Sequence, residues 1–188
     1  NGRVEQGVID YYVAQGYYAT FCENGVWKNI LGLLTWELIF TDHSSGFHHP
    51  FQYAPTTDFT QVNPARFTEL LDLLHDRSSV LVHMQTVASR HQGIINPLVE
   101  WGFLNWELIE KVLTHVETPA LQQVLTCMWT RLSTHAKGFP DLFIQRESEF
   151  CFVEVKSPND HLSAIQHFWH DFMRRNGVKV RLVRLKYV

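Results

Sequence analysis

The chain has 188 residues, of which 45% are hydrophobic, 13% aromatic and 19% charged, with a formal net charge of −3. That apolar content suffices for one domain with a sizeable core, and the charge balance excludes both a disordered chain and a strongly basic, DNA-coating one. No apolar run approaches the ~20 residues of a membrane span; the best candidate, Ile30 to Phe40, is short and carries Glu37. No basic-then-apolar leader opens the chain, and its first residue is Asn1 rather than Met, so a fragment of a longer protein is expected. Cys22, Cys127 and Cys151 are widely spaced and odd in number, with no Cys-x-x-Cys pair. They are expected to be packing residues, which argues against structural zinc and a disulfide scaffold and for a reducing intracellular compartment.

Residues 4–15 place Val4, Val8, Tyr11 and Tyr12 on one helical face, which predicts an amphipathic helix. Tyr17 to Cys22 reads as extended, Asn24-Gly25 as a turn, and Val26 to Phe40 as a buried helix. Residues 41–62, rich in Ser, His, Pro, Thr and Gly, read as a loop. Helices are then expected to begin near 64, 79, 97 or 105, and 119, because Asn63-Pro64, Asn96-Pro97 and Thr118-Pro119 each pair a capping residue with proline. The last of these is expected to end near Gly138.

The final fifty residues change character. Leu142 to Ile144 predicts a short strand, Gln145 to Glu149 a turn, and Phe150 to Lys156 a second strand. A helix is expected from Leu162 to Asn176, closed by Gly177, and then a half-buried strand from Val178 to Leu185. A strand–helix–strand ending predicts a mixed α/β sheet. Charge divides the same way: residues 137–188 hold nine Lys/Arg against six Asp/Glu, and residues 1–136 hold seven against thirteen.

Glu154 and Lys156 lie two apart on the second strand and therefore share a face, with Val153 and Val155 on the other. A hairpin would bring Asp141, at the mouth of the first strand, beside Glu154. Two neighbouring carboxylates repel unless a cation lies between them, and hard oxygen ligands suit Mg²⁺ or Mn²⁺. A surface hairpin with a Glu–Lys pair is the alternative. It conflicts with the apolar run Phe150-Cys151-Phe152-Val153 around Glu154, where a charged pair is expensive without a partner or a task.

The segment Gly138-Phe139-Pro140-Asp141, then Phe152-Val153-Glu154-Val155-Lys156-Ser157-Pro158-Asn159-Asp160, then Leu162-Ser163 and Gln166, resembles the VRR-NUC branch of the PD-(D/E)XK nucleases. More narrowly, it is similar to the nuclease domain of Fanconi-associated nucleases. The run Gly32 to Phe40 and the opening helix with Val4-Glu5, leading into Tyr11-Tyr12 and Gly16, are similar to that family too. The resemblance implies a restriction-endonuclease-like α/β fold: a mixed β-sheet core with flanking helices and a large helical insertion at about 41–117. One nuclease domain would span 1–188, with the catalytic hairpin, helix and strand in 137–188. It implies catalysis by Asp141, Glu154 and Lys156, with Gln166 beside them. Asp141, Glu154, the backbone carbonyl of Val155 and Glu5 of the first helix would hold Mg²⁺ or Mn²⁺; a capping or ion-pair role is the alternative for Glu5.

The implied activity is that of a structure-specific phosphodiesterase that cuts 5′ flaps and trims DNA 5′ to 3′ in interstrand crosslink repair, by attack of a metal-activated water. Its partner would be branched or 5′-flap DNA rather than a membrane, with further DNA-binding domains expected elsewhere in the same protein. The expected location is intracellular, nuclear in a eukaryote and cytoplasmic in a bacterium. A Holliday-junction-resolving nuclease and a catalytically silent DNA-binding module are the rival readings. Arg174, Arg175, Lys179 and Arg181 read either as phosphate contacts or as a solvated face. His43, His48 and His49 lack metal-ligand spacing, and Trp101, Trp106 and Trp129 read as core more than as base-stacking residues.

Overall fold

The computed structural model describes residues 2–41 and 63–186. Helix α1 (Gly2–Ala14) leads into strand β1 (Tyr18–Phe21), followed by α2 (Glu23–Leu34) and α3 (Trp36–Thr41). A helical block follows: α4 (Pro64–Asp72), α5 (Arg77–His91), α6 (Trp106–His115), α7 (Thr118–Thr130) and α8 (Leu132–His135). The chain ends in β2 (Leu142–Arg146), β3 (Glu149–Lys156), α9 (Ala164–Arg175) and β4 (Val180–Arg184).

The four strands form one sheet in the order β1-β2-β3-β4. β1 with β2 and β2 with β3 are antiparallel, and β3 with β4 is parallel, as the crossover through α9 requires. Period-two alternation divides the sheet into two faces. Leu142, Ile144, Val153 and Val155 pack with Val8, Ile9 and Tyr12 of α1. Phe143 and Phe152 belong to the larger core, with Trp27 of α2, Trp169 of α9 and the apolar sides of α4–α7. Phe139, just before Pro140-Asp141, is stacked between Trp27 at 5.5 Å and Trp169 at 4.0 Å, so the approach to β2 is clamped by two fully buried indoles. Among the described residues no helix is long and apolar enough to cross a membrane.

Several boundaries differ from expectation, each for a local reason. Asn24-Gly25 is not a turn but the first turn of α2, and the Asn24 side chain accepts the Phe139 N–H at 3.2 Å. The helix expected through Phe40 breaks at Thr35, whose hydroxyl donates back to the Leu31 carbonyl at 2.7 Å. No helix starts at Pro97: Asn96 Oδ1 takes the Leu98 N–H at 2.8 Å and closes a local turn. The helix starts instead at Trp106, where Asn105 caps the Leu108 N–H at 3.0 Å. The start expected near 79 lies at Arg77, because Asp76 is the cap. Glu117, not Thr118, occupies the cap position of α7, which ends at Thr130, and Arg131 separates it from α8. The β2–β3 hairpin is tighter than expected, because Gln145 pairs with Phe150 and Arg146 with Glu149. Glu147, in the left-handed region at φ 55°, makes that short turn possible. At the other end of the hairpin segment, α9 begins only after Ser163.

Candidate active site

β3 carries Glu154 and Lys156 toward α9. Glu154 is fully buried, and its Oε1 lies 2.6 Å from Lys156 Nζ and accepts from Gln166 Nε2 at 2.7 Å. Gln166 is held in place by the start of its own helix. Ser163 Oγ accepts the Gln166 N–H at 3.3 Å while Gln166 Oε1 accepts the Ser163 N–H at 3.0 Å, a reciprocal capping box. One end of the Gln166 amide thus caps α9 and the other orients Glu154. The second oxygen, Oε2, is 4.0 Å from His170 Nε2, too far for a hydrogen bond, and both atoms are buried with no hydrogen-bond partner among the described residues.

Asp141 is one pair beyond the last β2–β3 register pair, Leu142 with Val153, which sets it opposite Glu154. Its Oδ2 accepts the Val155 N–H at 2.7 Å. Its backbone carbonyl accepts from Cys22 N–H at 2.9 Å and Glu23 N–H at 3.2 Å, tying the entry of β2 to the β1–α2 junction. Burial raises the Asp141 carboxyl to about 7; the Val155 N–H lowers it, Glu154 raises it, Lys156 lowers it and Glu23 raises it.

Glu23 was not singled out by the sequence. It stands at the start of α2 with φ 34°, a left-handed conformation imposed where the chain leaves β1 for the helix. Burial pushes its carboxyl up, and Glu5, Glu154 and Glu100 push the same way. An acidic residue in a first helical turn is an ordinary complement to the helix dipole, so in sequence it carries no mark of a site. The Asp141 carbonyl, which holds the Cys22-Glu23 backbone, brings it to the cluster. Glu5 reaches the same cluster through Glu23, with its Oε2 buried and unpartnered.

Among the described residues no three His, Cys, Asp or Glu side chains converge as a ready ligand set for a metal ion. The donors present are the carboxylates of Asp141 and Glu154, with the Val155 carbonyl beyond the last β2–β3 pair. Mg²⁺ keeps several waters and needs only one or two carboxylates, so this set fits it, and the unpartnered Glu154 Oε2 is the atom that such an ion would satisfy.

Of the predicted basic residues, Arg174 and Lys179 line one cavity together with Arg181, while Arg175 lies 4.0 Å from Asp171 on the exposed side of α9. Trp129 is buried against Phe67, and Trp101 donates to the Ile94 carbonyl at 2.8 Å beside Trp36; these are packing roles. His43, His48 and His49 lie outside the described residues. The three cysteines are free, with Cys22 buried and Cys127 and Cys151 half-buried.

Residues 77–186 match the VRR-NUC domain family. The chain belongs to that family. The Fanconi-associated nuclease 1 homolog of Pseudomonas aeruginosa is 30% identical over 193 residues, covering 98% of this chain and 34% of the relative. Fanconi-associated nuclease 1 of Homo sapiens is 26% identical over 191 residues, covering 95% of this chain and 19% of the relative. Among solved structures, paFAN1 bound to 1-nucleotide 5′-flap DNA with a gap superposes with a TM-score of 0.88 at 29% identity, over 98% of this chain and 35% of that one. The complex with a 2-nucleotide flap gives 0.85 at 28%. The chain therefore spans about a third of the length of the Pseudomonas aeruginosa relative and of paFAN1, and its mixed sheet with flanking helices is the PD-(D/E)XK-like core.

Proposed function

We propose that this VRR-NUC domain is the catalytic part of a structure-specific, divalent-metal-dependent DNA nuclease that cuts 5′ flaps and trims DNA 5′ to 3′ in interstrand crosslink repair. The observation that carries the reading is Glu154: a fully buried carboxylate with one oxygen held by Lys156 and Gln166 and the other unpartnered, one strand away from Asp141. The relatives named as Fanconi-associated nucleases, and paFAN1 with flap DNA, support the substrate class.

Asp141, Glu154 and the Val155 carbonyl would hold Mg²⁺ or Mn²⁺, with Glu23 next to them and Glu5 further out. The ion, when bound, lowers the pKa of water and offsets negative charge in the transition state. The protein's own groups do the rest. Gln166 fixes the Glu154 carboxylate and the Val155 N–H fixes Asp141, so neither reorients as charge develops. Lys156 is a compact cation held at 13% exposure beside Glu154, placed to neutralise a phosphate oxygen or orient the nucleophile. It has no free lone pair while protonated, so it is not a ligand. Arg174, Arg175 and Lys179 would follow the DNA backbone. The bond broken would be that to the 3′ oxygen, leaving a 5′-phosphate.

Cleavage of labelled flap DNA with and without Mn²⁺, beside calorimetric Mn²⁺ titration, tests this. Asp141→Asn and Glu154→Ala are expected to lose ion binding and cleavage together. Lys156→Ala is expected to keep ion binding and lose cleavage by ~100-fold or more, the scale of one electrostatic catalytic group. A Glu154→Ala protein that binds Mn²⁺ normally and still cuts would overturn the site, and a wild-type protein that binds DNA without cutting any of it would favour the silent module.

A further inference from the structure

The buried side of α9 consists of Trp169, His170 and Met173. Trp169 and Met173 are fully buried and supply apolar volume, and the Trp169 indole N–H donates to the Lys137 carbonyl at 3.0 Å. His170, 9% exposed, is the polar residue between them. Its Nε2 is buried with no hydrogen-bond partner among the described residues. A leucine would fill the same space without stranding a polar atom, so a ring nitrogen here is costly unless it has a task. The atom it faces is the second oxygen of Glu154, 4.0 Å away and also buried and unpartnered. Neither atom is open to solvent, so the protein partner within reach of each is the other.

The spacing on α9 explains how both oxygens are met. Gln166 and His170 are four residues apart, so they lie one above the other on the side of the helix turned to β3. Gln166 Nε2 donates to Glu154 Oε1 at 2.7 Å, and Lys156 Nζ lies 2.6 Å from the same oxygen. These two donors occupy both lone pairs of Oε1. Oε2 keeps two, of which an ion needs one, and the other is open to His170. Turning the ring or the carboxylate by about 1 Å at its tip brings the pair to ~3.0 Å, a normal hydrogen bond. We propose that His170 is a positioning residue of the Glu154 site: with its ring proton on Nε2 it donates to Oε2, so that two successive turns of α9 hold the two oxygens of one carboxylate in a single orientation. Removing a donor behind a metal-binding carboxylate lowers ion affinity by ~10–100-fold, because the ligand must then be ordered on binding. That consequence rests on the reading of Glu154 as an ion ligand; the hydrogen bond itself does not.

Two measurements separate the hydrogen bond from its consequence. In the full chain, labelled with ¹⁵N-histidine and kept in chelator, the Nε2 proton of His170 is expected as a slowly exchanging downfield resonance. It is assigned by its absence from His170→Gln, and it is lost when Glu154→Leu removes the acceptor. Mn²⁺ calorimetry then compares wild type with two variants at position 170. His170→Leu keeps apolar volume and removes the donor; it is expected to melt no earlier than wild type yet to bind Mn²⁺ ~10-fold or more weakly. His170→Gln, whose amide nitrogen reaches the place of Nε2, is expected to restore most of that loss. A Leu variant with wild-type Mn²⁺ affinity overturns the proposal, as does equal weakening by Leu and Gln, which would make His170 a packing residue only. A wild type that binds Mn²⁺ but shows no slowly exchanging ring proton rejects the positioning role alone. A wild type that shows the ring proton and binds no Mn²⁺ rejects the metal reading alone.

Discussion

Glu154 and Asp141 face each other across the start of a hairpin and solve the problem of a buried charge differently. Glu154 has an ammonium and an amide on one oxygen. Asp141 has one backbone N–H, and burial together with Glu154 and Glu23 leaves it at about 7, well above the usual 3.8. The consequence for the metal-free chain has a definite sign. Between about pH 4 and pH 7 the folded chain keeps a proton that the unfolded chain has released, so stability conferred by Asp141 is present below its unfolded pKa and lost as pH rises through 7. Denaturant unfolding in chelator, wild type against Asp141→Asn, is expected to show no relative gain for the Asn variant near pH 3, a gain that grows from about pH 4 to pH 7, and a constant one at pH 8. Parallel curves across that interval would mean that Asp141 titrates normally. The pairing itself was legible in the sequence, because residues i and i+2 of a strand share a face and a hairpin must appose its two ends. Glu23 was not legible, because its contribution depends on a carbonyl 118 positions along the chain that folds back onto the β1–α2 junction.

The elements that build the site depend on a few backbone positions. Gly138 has φ 86°, and a Cβ there would lie 2.8 Å from Ile165 Cγ2, so the loop before Asp141 passes against the first turn of α9 with no room for a side chain. Gly138→Ala is expected to cost roughly 1–3 kcal/mol from left-handed backbone strain and overpacking. Because the same loop carries Phe139 and Asp141, cleavage should fall more than stability alone explains. Chemical denaturation gives the first quantity, and the rate under conditions where the variant stays folded gives the second. A rate equal to wild type would show that Asp141 is positioned from elsewhere. The strand–strand–helix–strand ending was readable because period-two patterning and capping residues agree there. The helical block was readable in outline but not in its boundaries. Asn96 and Asn105 both look like caps, and only the apolar spacing Leu108, Ile109, Val112 and Leu113 after the second one, packed into the core, decides between them. Thr35 likewise breaks a helix that its apolar neighbours would continue.

At the scale of the whole molecule, charge bears on how DNA would be held. The net −3 is the balance of a basic C-terminal third and an acidic remainder, so attraction to phosphate is local to the sheet edge and α9. If Arg174, Arg175 and Lys179 each neutralise one phosphate, the log–log salt slope is about −2.7, which from about 50 to about 200 mM salt means a loss in affinity of roughly 40-fold. Neutralising the three together is expected to weaken binding and flatten that slope; an unchanged slope would make them a solvated face. Such a small electrostatic footprint also bears on substrate choice. A four-way junction presents duplex arms to be gripped on several sides, which one local basic region does not match. A 5′ flap offers a single strand beside one duplex end, within reach of a site recessed between β3 and α9. Flap DNA is therefore expected to be cut faster than a four-way junction at equal concentration, with activity falling steeply as salt rises. Symmetrical cutting of the junction at an equal or greater rate would instead place this VRR-NUC domain with the junction-resolving enzymes.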